Sequence, residues 1–129
     1  MILQIEGKAE LVQPSATRLR SALKSLRSYG PSSYASLTDN QGNYIQVAGG
    51  GVTCMVERYE KGTNTRERAD HDKPSPIRPD GTILAFRAGN ISMRSDEWFM
   101  ADQVVELFAA FLNGDAYPDC AHWRRSPGF

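Results

Sequence analysis

Two histidines and two cysteines bound the nucleophilic and metal-binding chemistry open to this 129-residue chain. Nucleophilic catalysis needs a thiol or hydroxyl within reach of a base that a third group orients. Cys120 and His122 are close in sequence and conceivable as a pair, but nothing else supports one, since both histidines, His71 and His122, fall in polar segments expected to be exposed. Asp70-His71-Asp72 could offer oxygen and nitrogen to a metal, and Cys120 with His122 two more ligands. Each set falls short of a four-ligand zinc site, and neighbours on an extended chain point apart. Gly49-Gly50-Gly51 invites a phosphate-loop reading, yet no Gly-Lys-Ser/Thr follows, and the next residues alternate as a strand does. The expectation is therefore no catalytic group, no metal and no cofactor. The residues that stand out instead are Tyr44, Gln46, Glu57 and Tyr59, on the two runs that flank the glycines.

Residues 42–60, GNYIQVAGGGVTCMVERYE, must position them. In the first run Ile45 and Val47 point one way and Tyr44, Gln46 and Ala48 the other; in the second, Val52, Cys54 and Val56 oppose Thr53, Met55, Glu57 and Tyr59. The three glycines tolerate positive φ and predict the turn of an antiparallel hairpin. With Ile45, Val47, Val52, Cys54 and Val56 facing the helices, Tyr44, Gln46, Glu57 and Tyr59 share the outer sheet face. They form a polar and aromatic patch of the kind that recurs at protein interfaces. Ordinary cross-strand pairs on a half-exposed face would carry the same pattern.

Composition narrows the class. Fifteen Lys+Arg balance fifteen Asp+Glu, so no overall basic field draws the chain to nucleic acid or to an anionic membrane. The apolar stretches fall far below the ~18–20 residues of a spanning helix, and Glu6 comes too early for a secretory signal. The expectation is a cytoplasmic protein with both cysteines as free thiols. Its length suits one domain, residues 1–129.

Residues 2–12 suggest short strands turning at Gly7. Residues 15–28 predict an amphipathic helix with Pro14 at its entrance, Gly30-Pro31 beyond it, and Arg18, Arg20, Lys24 and Arg27 on its solvated faces. Residues 33–38 alternate as a strand. Residues 61–81 are polar and hold five basic and four acidic side chains. They read as a strand start running into a long loop, a recognition segment that includes Arg66, Arg68, Asp70 and Asp72. Residues 82–87 and 89–94 predict two further strands of the sheet. Ser95 is the expected N-cap of a second helix, with Asp96 and Glu97 in its first turn, Trp98 to Leu112 as a wide apolar stripe, and Gly114 as the stop. The tail from Tyr117 is anchored by Trp123 and otherwise loosely held. The fold class is α+β: a central antiparallel sheet of about six strands with two main helices packed on one face.

The order of these elements, together with Tyr44-Ile45-Gln46-Val47, Val56-Glu57 and Trp123-Arg124, resembles the immunity proteins of bacterial contact-dependent growth inhibition and related polymorphic toxin systems. The resemblance spans most of the chain. It implies a non-enzymatic cytoplasmic antitoxin that binds a cognate toxin domain and blocks its active site or substrate access. Tyr44, Gln46, Glu57, Tyr59, Arg66, Arg68, Asp70 and Asp72 are the expected toxin-binding residues. The alternatives are a small enzyme or ligand-binding module using the outer sheet face, and a structural subunit of a larger assembly. A deep polar pocket with a desolvated Glu57 favours the former, and a flat charged or aromatic surface favours a protein partner.

Overall fold

The computed structural model describes residues 1–126. In chain order they form β1 (Ile2–Ile5), β2 (Leu11–Val12), α1 (Ala16–Lys24), β3 (Tyr34–Thr38), β4 (Tyr44–Gly50), β5 (Thr53–Glu60), β6 (Thr65–Asp70), β7 (Thr82–Phe86), β8 (Gly89–Met93), α2 (Ala101–Asn113) and β9 (His122–Arg125). The protein is α+β, with a large antiparallel sheet in the order β2-β1-β3-β4-β5-β6-β9 and two helices packed against it. Strand membership departs from expectation. β7 and β8 leave the main sheet and pair only with each other among the described residues, while β6 and β9 extend it. The strand start expected within 61–81 is β6, with the loop following from residue 71, and the expected loose tail supplies an edge strand; the tail's residues 127–129 lie outside the described residues. No helix among the described residues is long and apolar enough to cross a membrane.

Both faces of the sheet are covered, by different means. On one face Leu19 and Leu23 of α1 and Val104, Leu107 and Phe108 of α2 bury against Leu37, Ile45, Val47, Cys54 and Val56. Each such large side chain contributes about 1.5–3 kcal/mol when fully buried. On the other face β7 and β8 fold back as a flap, and Leu84, Phe86, Ile91 and Met93 close over Ala48 and Met55 together with Trp98. The outer face of the central hairpin therefore changes along its length. Ala48 and Met55 lie under the flap, and Tyr44 and Tyr59 lie beyond it, half exposed.

α1 begins where Ser15 Oγ accepts the Arg18 amide at 3.2 Å and ends at Lys24, one turn before its expected stop. The start of α2 is a larger correction. Ser95 is not its N-cap; the helix starts at Ala101, where Gln103 Oε1 accepts the Met100 amide at 2.9 Å. Residues 94–97 form a turn, with the Glu97 amide donating to the Arg94 carbonyl at 3.0 Å, and the chain then runs without helix to Met100, because Trp98 and Phe99 must enter the two cores on opposite faces of the sheet. Successive side chains alternate sides on an extended chain and do not on a helix. Phe99 also bridges Cys54, with N–O distances of 3.1 and 2.9 Å. Gly114, at φ +70, ends α2 in the left-handed conformation expected of it.

The glycines serve a different purpose from the one expected. Gly50 pairs with Thr53, so the turn is Gly51-Val52, and Val52 is 55% exposed instead of core-facing. Gly49 and Gly50 are strand residues. A Cβ on Gly50 would lie 2.2 Å from the Leu26 carbonyl oxygen, so the bare backbone admits the segment that follows α1. Ser28 Oγ accepts the Gly50 amide at 3.3 Å and shares a hydrogen bond with Thr53 Oγ1 at 2.8 Å, fastening that segment down.

Two outcomes are expected. Gly50→Ala forces a backbone shift against residue 26 and lowers stability by about 1–3 kcal/mol in chemical denaturation, the usual cost of overpacking; an unchanged midpoint would mean that the contact yields freely. Cys54 and Cys120 are both free, the first buried and the second exposed. Burial pushes the Cys54 thiol up to about 12, so a maleimide at neutral pH should label Cys120 alone until the protein is denatured. Because Cys54 holds its proton more tightly when folded, its contribution to stability is complete below the unfolded thiol pKa of about 8.5 and is lost as pH rises towards the folded value.

Candidate functional site

β5 and β6 place Glu57 directly opposite Arg68, and the same face carries Gln46 across from Glu57 on β4. These positions lie where the flap ends, so the cross-strand charge pair is sealed: Glu57 is 0% and Arg68 1% exposed. A buried guanidinium stands only if carboxylates and carbonyls take the place of its water. Arg68 Nε meets Glu57 Oε2 at 3.3 Å, and its Nη1 meets Glu97 Oε1 at 3.4 Å and the Ser92 carbonyl at 3.2 Å. Gln46 Nε2 donates to Glu57 Oε1 at 3.1 Å, and the Ser126 hydroxyl donates to Glu57 Oε2.

A second arginine completes the cluster. β9 pairs Arg124 with Arg68, placing the two on one face. Arg124 Nη2 binds Asp96 Oδ1 at 2.6 Å and Glu97 Oε2 at 3.1 Å, with Asp70 Oδ2 at 3.8 Å from Nη1. The Asp96 carboxylate holds the Arg124 pKa above the ordinary arginine range, opposed by partial burial and reinforced by Glu97. Glu97 joins the two arginines and also accepts the Arg94 amide at 2.8 Å. The backbone turn of residues 94–97 is thereby held in place of the first turn of a helix, which is where the sequence had placed Asp96 and Glu97.

The expected binding residues divide into two groups. Tyr44 and Tyr59 stack with centroids 5.0 Å apart, Arg66 lies 5.5 Å over Tyr59, and its Nη2 donates to the Tyr44 hydroxyl at 2.9 Å. That hydrogen bond raises the Arg66 pKa. These three side chains form one preassembled patch on the uncovered end of the outer face. Tyr59 is further held by its hydroxyl, which donates to Asn64 Oδ1 at 2.9 Å. Glu57 and Arg68, in contrast, are sealed inside the ion cluster and unreachable from solvent, which corrects their expected place on an accessible surface. Gln46 is half-buried and turned toward Glu57. Asp70 faces Arg124 and His122, and Asp72 is exposed with His122 Nδ1 at 3.4 Å.

His71 is not a free loop side chain. Its Nδ1 accepts the Lys73 amide at 3.1 Å, so Nε2 carries the proton and donates to the Trp98 carbonyl at 2.7 Å. Among the described residues no group of three or more His, Cys, Asp or Glu side chains is arranged to hold a metal. Asp96, Glu97, Arg124 and Ser126 are the cluster members that sequence reasoning missed. The alternation of charged residues over 65–69 and the Arg pair at 124–125 hint at paired strands, but nothing local says which carboxylates they meet.

Beside the cluster, between the end of β8 and β9, lies a cleft of about 730 Å³ with Ser92, Arg94, Glu97, Arg125 and Ser126 among its walls and Arg68 at its base. A smaller hollow of about 230 Å³ sits among Tyr44, Gln46, Glu57 and Arg66.

Arg68→Ala strands Glu57 and Glu97 without their shared cation and is expected to cost about 3–5 kcal/mol, the range for breaking one side of a buried pair. Urea denaturation measures it, and a loss below about 1 kcal/mol would mean that water already solvates the cluster. Compared with known protein families, curated proteins and solved structures, the chain matches no family model, no curated sequence and no solved structure.

Proposed function

We propose that the protein is an immunity protein: a stoichiometric, non-catalytic inhibitor that binds a cognate bacterial toxin domain in the cytoplasm and blocks its active site or substrate access. The observation that carries this reading is the Tyr44–Tyr59–Arg66 patch. Tyrosine and arginine are the residue types that concentrate binding energy at interfaces. Here they are held by one another before any partner arrives, at 5.0 Å between the stacked rings and 2.9 Å from guanidinium to hydroxyl. Preordered side chains lose little freedom on binding, so more of the contact energy appears as affinity. The toxin as partner follows from the resemblance of the element order, Tyr44-Ile45-Gln46-Val47, Val56-Glu57 and Trp123-Arg124 to immunity proteins. Arg66, exposed at the edge of the patch, supplies a charged rim, while Asp72 lies beyond the far end of β6 and is no part of it. Such rims set encounter rate and discrimination between related partners. A ligand-binding module is the second reading, favoured by the cleft beside the ion cluster.

The test uses the toxin domain encoded by a neighbouring reading frame. The two proteins are expected to co-purify at one to one. Tyr59→Ala should raise the dissociation rate roughly 30-fold, the effect of losing a hot spot of about 2 kcal/mol, with little change in association. Arg66→Glu should slow association, most at low salt. A Tyr59→Ala/Arg66→Glu variant that folds, binds and protects like the unmodified protein would remove the patch from recognition.

A further inference from the structure

We infer that the helix layer, on the face of the sheet opposite the Tyr44–Tyr59–Arg66 patch, is a docking surface for a second copy of this chain, α1 of each copy lying on α2 of the other. This goes beyond the toxin-binding reading and does not depend on it. Soluble surfaces commonly intersperse charges of both signs; here the two signs are kept apart. Residues 11–38 contain Arg18, Arg20, Lys24 and Arg27 and no carboxylate, while residues 95–121 contain six carboxylates and no lysine or arginine. Of the six, Asp96 and Glu97 are committed to the ion cluster, and Asp102, Glu106, Asp115 and Asp119 remain exposed. A basic helix is thus packed beside an acidic one.

Within one chain this complementarity is little used. Lys24, at the end of α1, pairs with Asp102, at the start of α2, and that hydrogen bond, with Arg20 further off, holds the Asp102 carboxyl below the usual carboxylate range. Arg27 turns back to the Lys24 and Leu26 carbonyls. Arg18, Arg20 and Glu106 are exposed and have no ion pair among the described residues. Arg20 and Lys24 are four residues apart, and so are Asp102 and Glu106, close to one helical turn in each case. Two such helices laid in opposite directions therefore bring Arg20 to Glu106 whenever Lys24 meets Asp102. A two-fold axis makes the contact twice, α1 on the partner's α2 and α2 on the partner's α1. Laying α1 on α1 instead sets cations against cations, which the same charges disfavour. Exposed ion pairs alone bind weakly. Val105 and Ala109 of α2 are half-buried and add apolar area that leaves water on association.

Sedimentation equilibrium of the full chain tests this in about 0.1 M and about 1 M chloride, where charges are screened beyond about 10 Å and about 3 Å. A dimer in equilibrium with monomer is expected in the first, with a dissociation constant about tenfold or more higher in the second. Arg20→Glu/Lys24→Glu sets acid against acid, and Asp102→Lys/Glu106→Lys sets base against base. Each variant alone should sediment as a monomer while its circular dichroism stays that of the unmodified protein. Mixed in equal amounts, the two should form a one-to-one heterodimer, since both contacts are then complementary again. That recovery separates a lost contact from a damaged fold. Lys73→Glu, on the loop after β6, should dimerise normally. The proposal is overturned if the unmodified chain is a monomer at about 1 mM, or if it forms a dimer indifferent to salt. It is equally overturned if both double variants still dimerise alone, or if they fold and do not associate on mixing.

Discussion

Arg68 is the charge around which the outer half of this molecule is arranged. A guanidinium that is 1% exposed must find in the protein everything that water would have supplied. Glu57 comes from the neighbouring strand, Glu97 from the segment before α2, and a carbonyl from the flap at Ser92. Glu97 in turn recruits Arg124 from the C-terminal strand, and Arg124 recruits Asp96. One buried cation thus ties together four pieces of chain distant in sequence. Such clusters add little net stability over an apolar core of the same volume, because desolvation consumes most of the attraction. Their effect is on arrangement: a register slip of one residue between β5 and β6 would turn Arg68 to the helix side and leave Glu57 buried alone.

The flap is what makes this burial possible. β7 and β8 bring Leu84, Phe86, Ile91 and Met93 onto the outer face, and their apolar contact with Ala48, Met55 and Trp98 excludes water from one end of it. The flap stops short of Tyr44 and Tyr59. The central hairpin consequently presents three environments in sequence: an apolar end under cover, a charged middle at the edge of the cover, and an aromatic end open to solvent. The first two are committed to the protein's own packing, which leaves the aromatic end and the cleft at the edge as the accessible parts of this face. The bare backbone at Gly50 has the matching role at the opposite end, where Leu26 lies too close for any side chain.

Much of the fold was legible in the sequence, because periodicity reports which face of an element is buried. The alternation of Ile45, Val47, Cys54 and Val56 identified the helix-side core, and the stripe of Val104, Leu107 and Phe108 identified the helix that covers it. Gly114 marked the end of α2 through local chemistry, its left-handed φ. The shared face of Tyr44, Gln46, Glu57 and Tyr59 was also legible, since a two-residue period needs no knowledge of distant partners.

What lies against that face could not be read in the same way. Whether Glu57 is a surface carboxylate or a buried one depends on a flap 25 and more residues further along the chain and on an arginine from a strand that resembled a charged loop. Asp96 and Glu97 have the composition of a helix start, and the competing pull of Arg124 and Arg68, with Trp98 and Phe99 entering opposite cores, holds that segment as a turn outside any helix. Local propensities amount to a fraction of a kcal/mol per residue, roughly 0–0.7 for ordinary side chains in a helix, whereas leaving a buried charge unpaired costs several. The sequence by itself determined the elements and their apolar faces; the tertiary structure decided which polar residues are sealed and which are offered, because desolvation is a property of the whole surroundings and not of the residue.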